Sequence, residues 1–375
     1  MESPFNFGKT FVGQTFVNRE IERKMLKINF QSGVNTILLS PRRYGKSSLV
    51  KQVAFEMGKD ENVRFVFIDF NHIRSEEDIY KYLLERTLKA TLSKRSEFLN
   101  AGKNFFKKII PVISYSIDPK NDLSVSLNWE EVQKSKDEIL NLPEIIAQKK
   151  DLKIVICIDE FQNISNLPNS LEIEKELRSY WQHHKCVAYC LFGSRRHMMS
   201  EIFNSEERPF YRFGSTILLD RIEEKYWTEF IEKSFRNTGK KIKNEFSVLI
   251  AQTAENHPYY VQQLSHTVWI LTEKEVNKKI YNEAVDLVIR TNAMFYQEIY
   301  EQLSATQIGM LYAVCDGVTQ FSSVDAMNKY KLGTSNNVKK NRESLSQRDL
   351  IEFRKTGATF VDPFFKKWFV GIKNE

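Results

Sequence analysis

The chain has 375 residues, of which 42% are hydrophobic and 27% are charged. That length indicates two or three domains rather than one small core, and the composition is that of an ordinary soluble globular protein. The 55 Lys and Arg residues exceed the 48 Asp and Glu residues and give a net charge of +7. This mild basic excess permits contact with nucleic acid without requiring it.

No apolar run in the sequence approaches the ~20 residues that a membrane helix needs, which argues against a membrane-spanning protein. The first residues, MESPFNFGKTFVG, lack the basic and then apolar profile of a secretory signal. We therefore expect a cytoplasmic protein with no membrane partner.

The four cysteines are expected to be reduced and to serve as small hydrophobic side chains in buried positions. They are Cys157, Cys186, Cys190 and Cys315. The spacing of Cys186 and Cys190 would also suit two ligands of a metal ion. No second ligand pair accompanies them, so the structural interpretation is favoured.

Five short apolar segments predict the strands of a sheet. They span residues 36–39, 63–70, 154–158, 186–192 and 216–219. Because these segments are apolar throughout, both faces of each strand are expected to be buried, as in a parallel sheet that helices cover. The intervening segments are long enough for helical crossovers, and residues 48–58 have the spacing of an amphipathic helix. The predicted fold class is therefore α/β.

Two parts of the chain depart from this pattern. Residues 91–130 carry extra helix and then an alternating stretch, ISYSIDPKNDLSVSLNW, which predicts a β-hairpin around residues 118–122. We interpret this part as an insertion between the second and third core strands. From residue 222 to about residue 294 the pattern is wholly helical.

The strongest chemical signal lies directly after the first strand and opens a helix. It comprises Ser40, Pro41, Arg42, Arg43, Tyr44, Gly45, Lys46, Ser47 and Ser48. Consecutive backbone N–H groups and a helix N-terminus present positive potential to the phosphates of a nucleotide. Lys46 would reach the β- and γ-phosphates, the Ser47 hydroxyl would complete a Mg²⁺ shell, and Gly45 would let the backbone approach closely. A chance GKS sequence is disfavoured, because strand, loop and helix follow in the required order.

The third predicted strand ends in two carboxylates, Asp159 and Glu160. Asp159 is predicted to hold Mg²⁺, directly or through water, and Glu160 to polarise the attacking water as a general base. The alternative is a strand that simply ends in acidic residues, and the upstream phosphate loop disfavours it. Asp69, at the end of the second strand, has no carboxylate beside it and is interpreted as structural. ATP and Mg²⁺ are the expected ligands.

With these motifs, nearly the whole chain resembles the AAA+-like bacterial and archaeal ATPases. These are related to the replication-initiator ATPases and to the signal-transduction ATPases with numerous domains. Residues 16–22, FVNREIE, resemble the N-terminal box of that family, with Asn18 in place of a glycine. The resemblance implies that this box, which includes Arg19, lies over the adenine and the lid.

Two further motifs carry the resemblance through the core. Residues 191–194, LFGS, resemble the sensor-1 position, where a small polar side chain, here Ser194, reads the γ-phosphate. An arginine near this point acts on the nucleotide of a neighbouring subunit in such enzymes, and Arg208 and Arg212 are both candidates. For each of them, a surface or ion-paired role is the alternative.

Residues 257–260, HPYY, resemble the lid motif of the family, with Asn256 in place of a glycine. Pro258 suits the first turn of a helix, where its absent N–H costs nothing. The resemblance implies that this segment faces the nucleotide and that His257 senses the nucleotide state. No clear sensor-2 arginine is found, so hydrolysis is expected to be slow and regulatory.

The C-terminal segment resembles a winged helix. Helices are predicted at residues 322–330 and 336–348, with wing strands at 350–353 and 359–361, and DPFFKKW at 362–368 matches the usual ending of the family. If the second helix entered a major groove of DNA, Lys339, Lys340 and Arg342 would contact phosphates. The small net positive charge of this region leaves a role in protein contacts equally open.

The predicted architecture is a P-loop NTPase core of the AAA+ type over residues 1–220, a helical lid over residues 221–300 and a winged helix over residues 301–375. The predicted function is ATP binding and ATP hydrolysis in a switch, which couples the lid and the winged helix to a protein partner, to self-association or to DNA. Two alternatives stay open. One is a DNA-binding regulator that uses ATP or ADP structurally, and the other is a scaffold in defence, transposition or signalling.

Overall fold

The computed structural model describes residues 2–13, 16–60, 62–91, 113–117, 123–127, 136–354 and 357–373. Contacts between residues divide the chain into two units. The sheet unit consists of Arg19–Ser40 and Lys46–Leu219, and the helical unit consists of Met1–Asn18, Pro41–Gly45 and Asp220–Glu375. The three domains predicted from the sequence, with their limits, stay predictions.

The sheet unit alternates strands and helices. Its strands are β1 (Thr36–Leu39), β2 (Val63–Asp69), β3 (Ile113–Ile117), β4 (Leu123–Leu127), β5 (Lys153–Asp159), β6 (Val187–Gly193) and β7 (Ser215–Leu218). Its helices are α1 (Glu20–Gln31), α2 (Lys46–Met57), α3 (Glu76–Thr91), α4 (Lys136–Lys150), α5 (Ser170–Trp181) and α6 (Arg196–Asn204). This order confirms the predicted α/β class.

Five of these strands form one sheet in the order β2-β5-β6-β1-β7, and all the pairings within it are parallel. All residues of β1 and β6 are buried, because helices cover both faces of the sheet; this is why their sequences do not alternate. The predicted parallel sheet is confirmed. Its strand ends lie within two residues of the sequence prediction.

The strand order decides where a ligand can bind. The chain runs from β1 to β2, which is an outermost strand of the sheet, and returns through β5 and β6. The strands β1 and β6 are therefore neighbours in the sheet although they are distant in sequence. In open parallel sheets, ligands bind outside the carboxyl ends of the strands at such a reversal. The carboxyl ends of β1, β5 and β6 therefore lie next to one another along the carboxyl edge of the sheet.

The predicted insertion contains the predicted hairpin, since β3 and β4 pair in antiparallel register, with Tyr115 opposite Val125. Residues 118–122, where the turn was predicted, and the extra helix predicted before β3 lie outside the described residues. The hairpin is a separate two-stranded sheet and does not extend the parallel one.

The helical unit contains the C-terminal half of the chain. Its elements are α7 (Glu224–Asn237), α8 (Asn244–Thr253), α9 (Pro258–Leu271), α10 (Lys278–Glu301), α11 (Ala305–Cys315), α12 (Val324–Lys329), α13 (Ser335–Gln347), β8 (Ile351–Arg354), β9 (Gly357–Phe360) and α14 (Pro363–Lys373). The helical stretch predicted from residue 222 to about residue 294 is confirmed, and so are the helices and wing strands predicted after it. The two wing strands, β8 and β9, pair in antiparallel register. The terminal helix α14 was not predicted.

Helix α14 joins the core of the helical unit through aromatic rings. Tyr296 on α10 lies 5.4 Å from the ring of Phe365 and 5.9 Å from that of Trp368. Tyr260 on α9 lies 5.8 Å from the ring of Phe364. Burial of such large side chains stabilises the contact of α14 with both helices.

Other expectations concern the whole chain. Within the residues that the structure describes, no helix has the length and apolar character needed to cross a membrane. No disulfide joins any of the four cysteines; Cys157 and Cys190 are buried, whereas Cys186 and Cys315 are half-buried. The expectation of full burial is correct for two of the four.

Candidate functional site

The predicted phosphate loop connects β1 to α2. Gly45 has φ 84° and Arg43 has φ 63°, both in the left-handed region, so the loop turns tightly before α2 begins at Lys46. Ser40, the first residue of the loop, is fully buried. The Lys46 ammonium donates hydrogen bonds to the backbone oxygen and to the hydroxyl of Ser40, both at 3.1 Å. Within the sheet unit, the lysine thus lies against the start of its own loop.

Ser47 and Asp159 lie side by side at the edge of the sheet. The Ser47 hydroxyl donates a hydrogen bond of 2.6 Å to Oδ2 of Asp159, the last residue of β5. Burial raises the pKa of the Asp159 carboxyl, although the hydrogen bond from Ser47 opposes the shift. A hydroxyl and a carboxylate oxygen are ligands that Mg²⁺ prefers, so the pair fits the predicted metal role.

A cavity of about 320 Å³ adjoins this pair. Its lining includes Ser47 and Asp159, and also the cationic residues Lys51 and Arg86 and the acidic residue Asp69. The edge of the sheet therefore has space for solvent and small ions beside the predicted metal ligands.

Three hydrogen bonds hold the carboxylate of Glu160. Its Oε2 accepts from the Ser194 hydroxyl at 2.8 Å, from the Ser194 backbone amide at 3.3 Å and from Nε2 of Gln162 at 2.5 Å. Glu160 itself has a left-handed backbone, with φ 53°. The structure therefore brings together the predicted general base and the predicted sensor-1 serine. A carboxylate held in one orientation is suited to accept a proton from a positioned water.

Sequence reasoning missed Gln162. Its side chain is 1% exposed and lies against Gly193, where an added Cβ would come within 1.8 Å of Gln162 Oε1. The absence of a side chain at position 193 therefore gives Gln162 room to reach Glu160. The only sequence signal is an amide residue two positions after the acidic pair, which is too common to notice.

The buried ring of Phe161 anchors the segment that follows Glu160. It lies 5.6 Å from the ring of Phe70, 5.7 Å from that of Phe203 and 5.3 Å from that of Phe210. Phe161 is fully buried. Contacts of this size fix the backbone on the carboxyl side of Glu160 and limit the freedom of its side chain.

The middle of the phosphate loop packs inside the helical unit. Tyr44 is 3% exposed, and its ring lies 4.7 Å from that of His257 at the start of α9. The guanidinium of Arg43 lies 4.4 Å from the ring centroid of Tyr259 and donates a hydrogen bond of 3.3 Å to the Tyr260 hydroxyl. The predicted lid motif and the predicted phosphate loop are therefore in direct contact.

Two known protein families match the sequence of this chain. The family described as "ATPase domain predominantly from Archaea" matches residues 16–264, which is well over half of the sequence. The chain belongs to this ATPase family. A second family, described as "Probable winged helix domain", matches residues 294–371. Membership supports a nucleotide-binding ATPase with a C-terminal winged helix, as the sequence predicted.

Solved structures of other ATPases share the fold of this family member. The Walker-type ATPase of Pyrococcus abyssi is 16% identical, with a TM-score of 0.69 over 98% of this chain and 99% of that one. The ORC2 protein of Aeropyrum pernix, solved as ADPNP-ADP complexes, is 12% identical, with a TM-score of 0.59 over 98% and 97%. The ORC1 protein of the same organism, solved in complex with DNA, is 12% identical, with a TM-score of 0.52 over 99% and 98%. These similarities show that the ATPase has the P-loop AAA+ fold. No curated protein matches its sequence significantly.

The two arginines proposed to act on a neighbouring nucleotide have different surroundings in this ATPase. Arg208 is 13% exposed and pairs with the fully buried carboxylate of Glu174. It also donates a hydrogen bond of 2.8 Å to the Ser165 hydroxyl. Arg212 is exposed, with its guanidinium 5.1 Å from the ring centroid of Tyr211. Arg212 therefore has the accessibility that an action on another subunit requires, and Arg208 has a structural ion pair.

The remaining predicted ligands of the ATPase are spread over both units. Arg19 belongs to the sheet unit, has φ 67° and forms a 2.9 Å ion pair with Glu22. Pro258 is the first residue of α9, where its missing N–H costs no helical hydrogen bond. In the loop, Arg42 is exposed and Ser48 is buried in α2.

His257 has an unusual environment for a histidine in this ATPase. Its ring is 1% exposed, and neither ring nitrogen has a hydrogen-bond partner among the described residues. Burial, and then the positive charges of Arg221 and Arg43, lower the pKa of His257 to about 3. The ring is therefore neutral at physiological pH and packs as an aromatic group between Tyr44 and Tyr260.

Proposed function

We propose that this ATPase binds ATP with Mg²⁺ at the loop of residues 40–48 and hydrolyses it slowly. We further propose that its nucleotide state controls binding of a protein partner or DNA through a lid at residues 221–300 and a winged helix at residues 301–375. The observation that carries the proposal is the convergence of Ser47, Asp159, Glu160 and Ser194 at the carboxyl edge of the sheet.

Binding follows from the charge of the loop. The backbone amides of residues 41–45 and the N-terminus of α2 would receive the phosphates, and Lys46 would leave Ser40 to contact them. Ser47 and Asp159 would hold Mg²⁺, which, when bound, offsets the negative charge of the phosphates. Arg19 and Pro258 are the proposed contacts on the adenine side.

Hydrolysis would depend on Glu160. Its carboxylate, oriented by Ser194 and Gln162, would accept a proton from the water that attacks the γ-phosphate. Ser194 would also read the γ-phosphate. Arg212 of another copy would stabilise the charge that builds on the transferred group, which requires self-association.

DNA is one proposed partner of the winged helix, and binding of DNA can be tested directly. Lys339, Lys340 and Arg342 are exposed on α13, which suits contact with phosphates in a groove. A protein of similar fold has been solved in complex with DNA. A scaffold or regulator that uses nucleotide without turnover is the competing function.

The first experiment compares nucleotide binding by the unaltered chain, Lys46→Ala and Lys24→Ala. Lys24 is an exposed lysine on α1 and serves as the matched control. We expect Lys46→Ala to lose measurable ATP affinity in calorimetry, while Lys24→Ala keeps it. Equal affinity in all three proteins would refute ATP binding at this loop.

The second experiment measures phosphate release by the unaltered chain and Glu160→Gln, with and without duplex DNA. Loss of a general base should lower turnover about 10²-fold or more. Equal turnover would refute hydrolysis at this site and favour the structural use of nucleotide. A DNA affinity that does not fall with rising salt would exclude phosphate contacts by α13.

A further inference from the structure

Two adjacent residues of the phosphate loop connect to one helix of the winged-helix region. The first connection, the tyrosine route, runs from Arg43 through Tyr260 to Asp362 and Tyr296. The second, the ionic route, runs from Tyr44 through Arg221 and Glu255 to Lys366. The residues of both routes belong to the helical unit.

The tyrosine route is a chain of polar contacts. Arg43 donates a hydrogen bond to the Tyr260 hydroxyl at 3.3 Å. Burial and then the nearby Asp362 carboxylate raise the pKa of that hydroxyl. Oδ2 of Asp362 accepts from the Tyr296 hydroxyl at 3.0 Å. The Asp362 carboxylate thus interacts electrostatically with Tyr260 and directly bonds Tyr296.

Asp362 connects this route to α14. Its Oδ1 accepts hydrogen bonds from the backbone amides of Phe364 at 2.8 Å and Phe365 at 3.0 Å. These amides belong to the first turn of α14 and have no partner within the helix. One carboxylate thus caps the terminal helix with one oxygen and accepts a hydrogen bond from the Tyr296 hydroxyl with the other.

The ionic route reaches the same helix from the neighbouring loop residue. Tyr44 and Arg221 interact electrostatically. Arg221 forms an ion pair of 2.9 Å with Glu255 and also donates to the backbone oxygen of that residue at 2.8 Å. Glu255 in turn lies 3.3 Å from the ammonium of Lys366 on α14. Two independent sets of contacts therefore end on one helix.

We propose that Asp362 is a positioning residue for nucleotide binding, which holds the phosphate loop through Tyr260 and Arg43. The proposal rests on the proposed binding of ATP at this loop. Arg43 is a left-handed residue two positions before Gly45. Fixing its side chain limits the backbone conformations of the loop, and a pre-organised loop binds phosphates more tightly than a mobile one.

The coupling must act in both directions. If α14 favours one loop conformation, a nucleotide that binds this conformation must stabilise the cap of α14 by the same factor. A partner that pulls Asp362 away from Tyr260 should therefore lower nucleotide affinity. This gives the winged helix control over nucleotide release without any contact of its own with the nucleotide.

The central variant is Tyr260→Phe, which removes one hydroxyl and keeps the ring between His257 and Phe364. The matched control is Tyr281→Phe, because the Tyr281 hydroxyl makes a comparable hydrogen bond of 2.6 Å with Thr253 outside both routes. We expect the dissociation constant for ADP to rise about fivefold in Tyr260→Phe, the usual effect of one lost hydrogen bond, and to stay unchanged in the control.

Asp362→Asn is the second variant, since an amide oxygen can still cap α14 while the charge is lost. It should weaken ADP binding by a similar factor, and the KM for ATP should rise more than kcat falls, because Glu160 lies outside the routes. Hydrogen exchange adds a readout that a purely structural role would not change. ADP should protect the amides of Phe364 and Phe365 in the unaltered chain and lose that effect in Tyr260→Phe.

The outcomes separate the two proposals. If Lys46→Ala loses ADP binding and Tyr260→Phe binds ADP like the unaltered chain, the tyrosine route is refuted and the proposed function stands. If Lys46→Ala binds ADP normally, the proposed function fails and the inference fails with it. Unchanged protection of the α14 amides by ADP in Tyr260→Phe would also refute the route.

Discussion

The buried ring of His257 makes the stability of this ATPase dependent on pH in a calculable way. Its pKa lies near 3 in the folded chain and near 6.5 in an unfolded one. Below pH 6.5 the unfolded chain takes up a proton that the folded chain refuses. Stability is therefore lost progressively as the pH falls from 6.5 toward 3.

The size of the effect follows from the two pKa values. At about pH 5 the unfolded state gains about 2 kcal/mol from protonation of one such histidine, and at about pH 7.5 it gains almost nothing. His184 is half-buried, and burial lowers its pKa to about 4, so it adds a loss of the same sign. A variant of His257 alone keeps the His184 contribution, which then cancels in the comparison.

The test measures the free energy of unfolding in urea at the two pH values for the unaltered chain and for His257→Phe. Phenylalanine keeps a ring between Tyr44 and Tyr260 but cannot bind a proton. We expect the unaltered chain to lose about 2 kcal/mol more than His257→Phe between the two conditions. His72→Gln is the control, since this ring is 70% exposed. Equal losses in the unaltered chain and in His257→Phe would show that the ring titrates normally and would refute its burial as a neutral group.

Two further predictions concern the sheet unit. Arg208→Ala should lower the free energy of unfolding by about 3–5 kcal/mol, because it leaves the buried carboxylate of Glu174 unpaired. A change below about 1 kcal/mol in urea unfolding would show that the pair is dispensable. Gly193→Ala should displace Gln162 from Glu160 and lower kcat several-fold with little change in KM. An unchanged kcat in steady-state phosphate release would remove Gln162 from the positioning of the base.

The sequence predicted the parallel sheet well because its signal is local. A strand buried on both faces is apolar at nearly every position, and β1 and β6, which are buried over four and seven consecutive residues, satisfy this except at Thr36. The loop before Lys46 and the acidic end at Asp159 could be predicted for a similar reason, since each motif is contiguous. Their meeting at one edge then follows from the parallel arrangement of the strands.

The unpredicted features depend on partners that are distant in sequence. Arg208 has a buried partner, Glu174, 34 residues away, and nothing in the local sequence marks that carboxylate as buried. Gln162 reaches Glu160 only because Gly193, on another strand, leaves space. Helix α14 was missed because its aromatic residues favour strands on propensity, whereas burial against Tyr296 and Tyr260 stabilises them in a helix.

Asn18 and Asn256 stand where the motifs that the sequence resembles have glycine. Both adopt left-handed backbone angles, with φ 52° and φ 57°, which asparagine tolerates better than other residues with a side chain. Asparagine at these two positions thus provides a backbone shape that glycine would also provide. A motif search that insists on glycine at both would pass over chains such as this one, whereas a search written in terms of torsion angles would retain them.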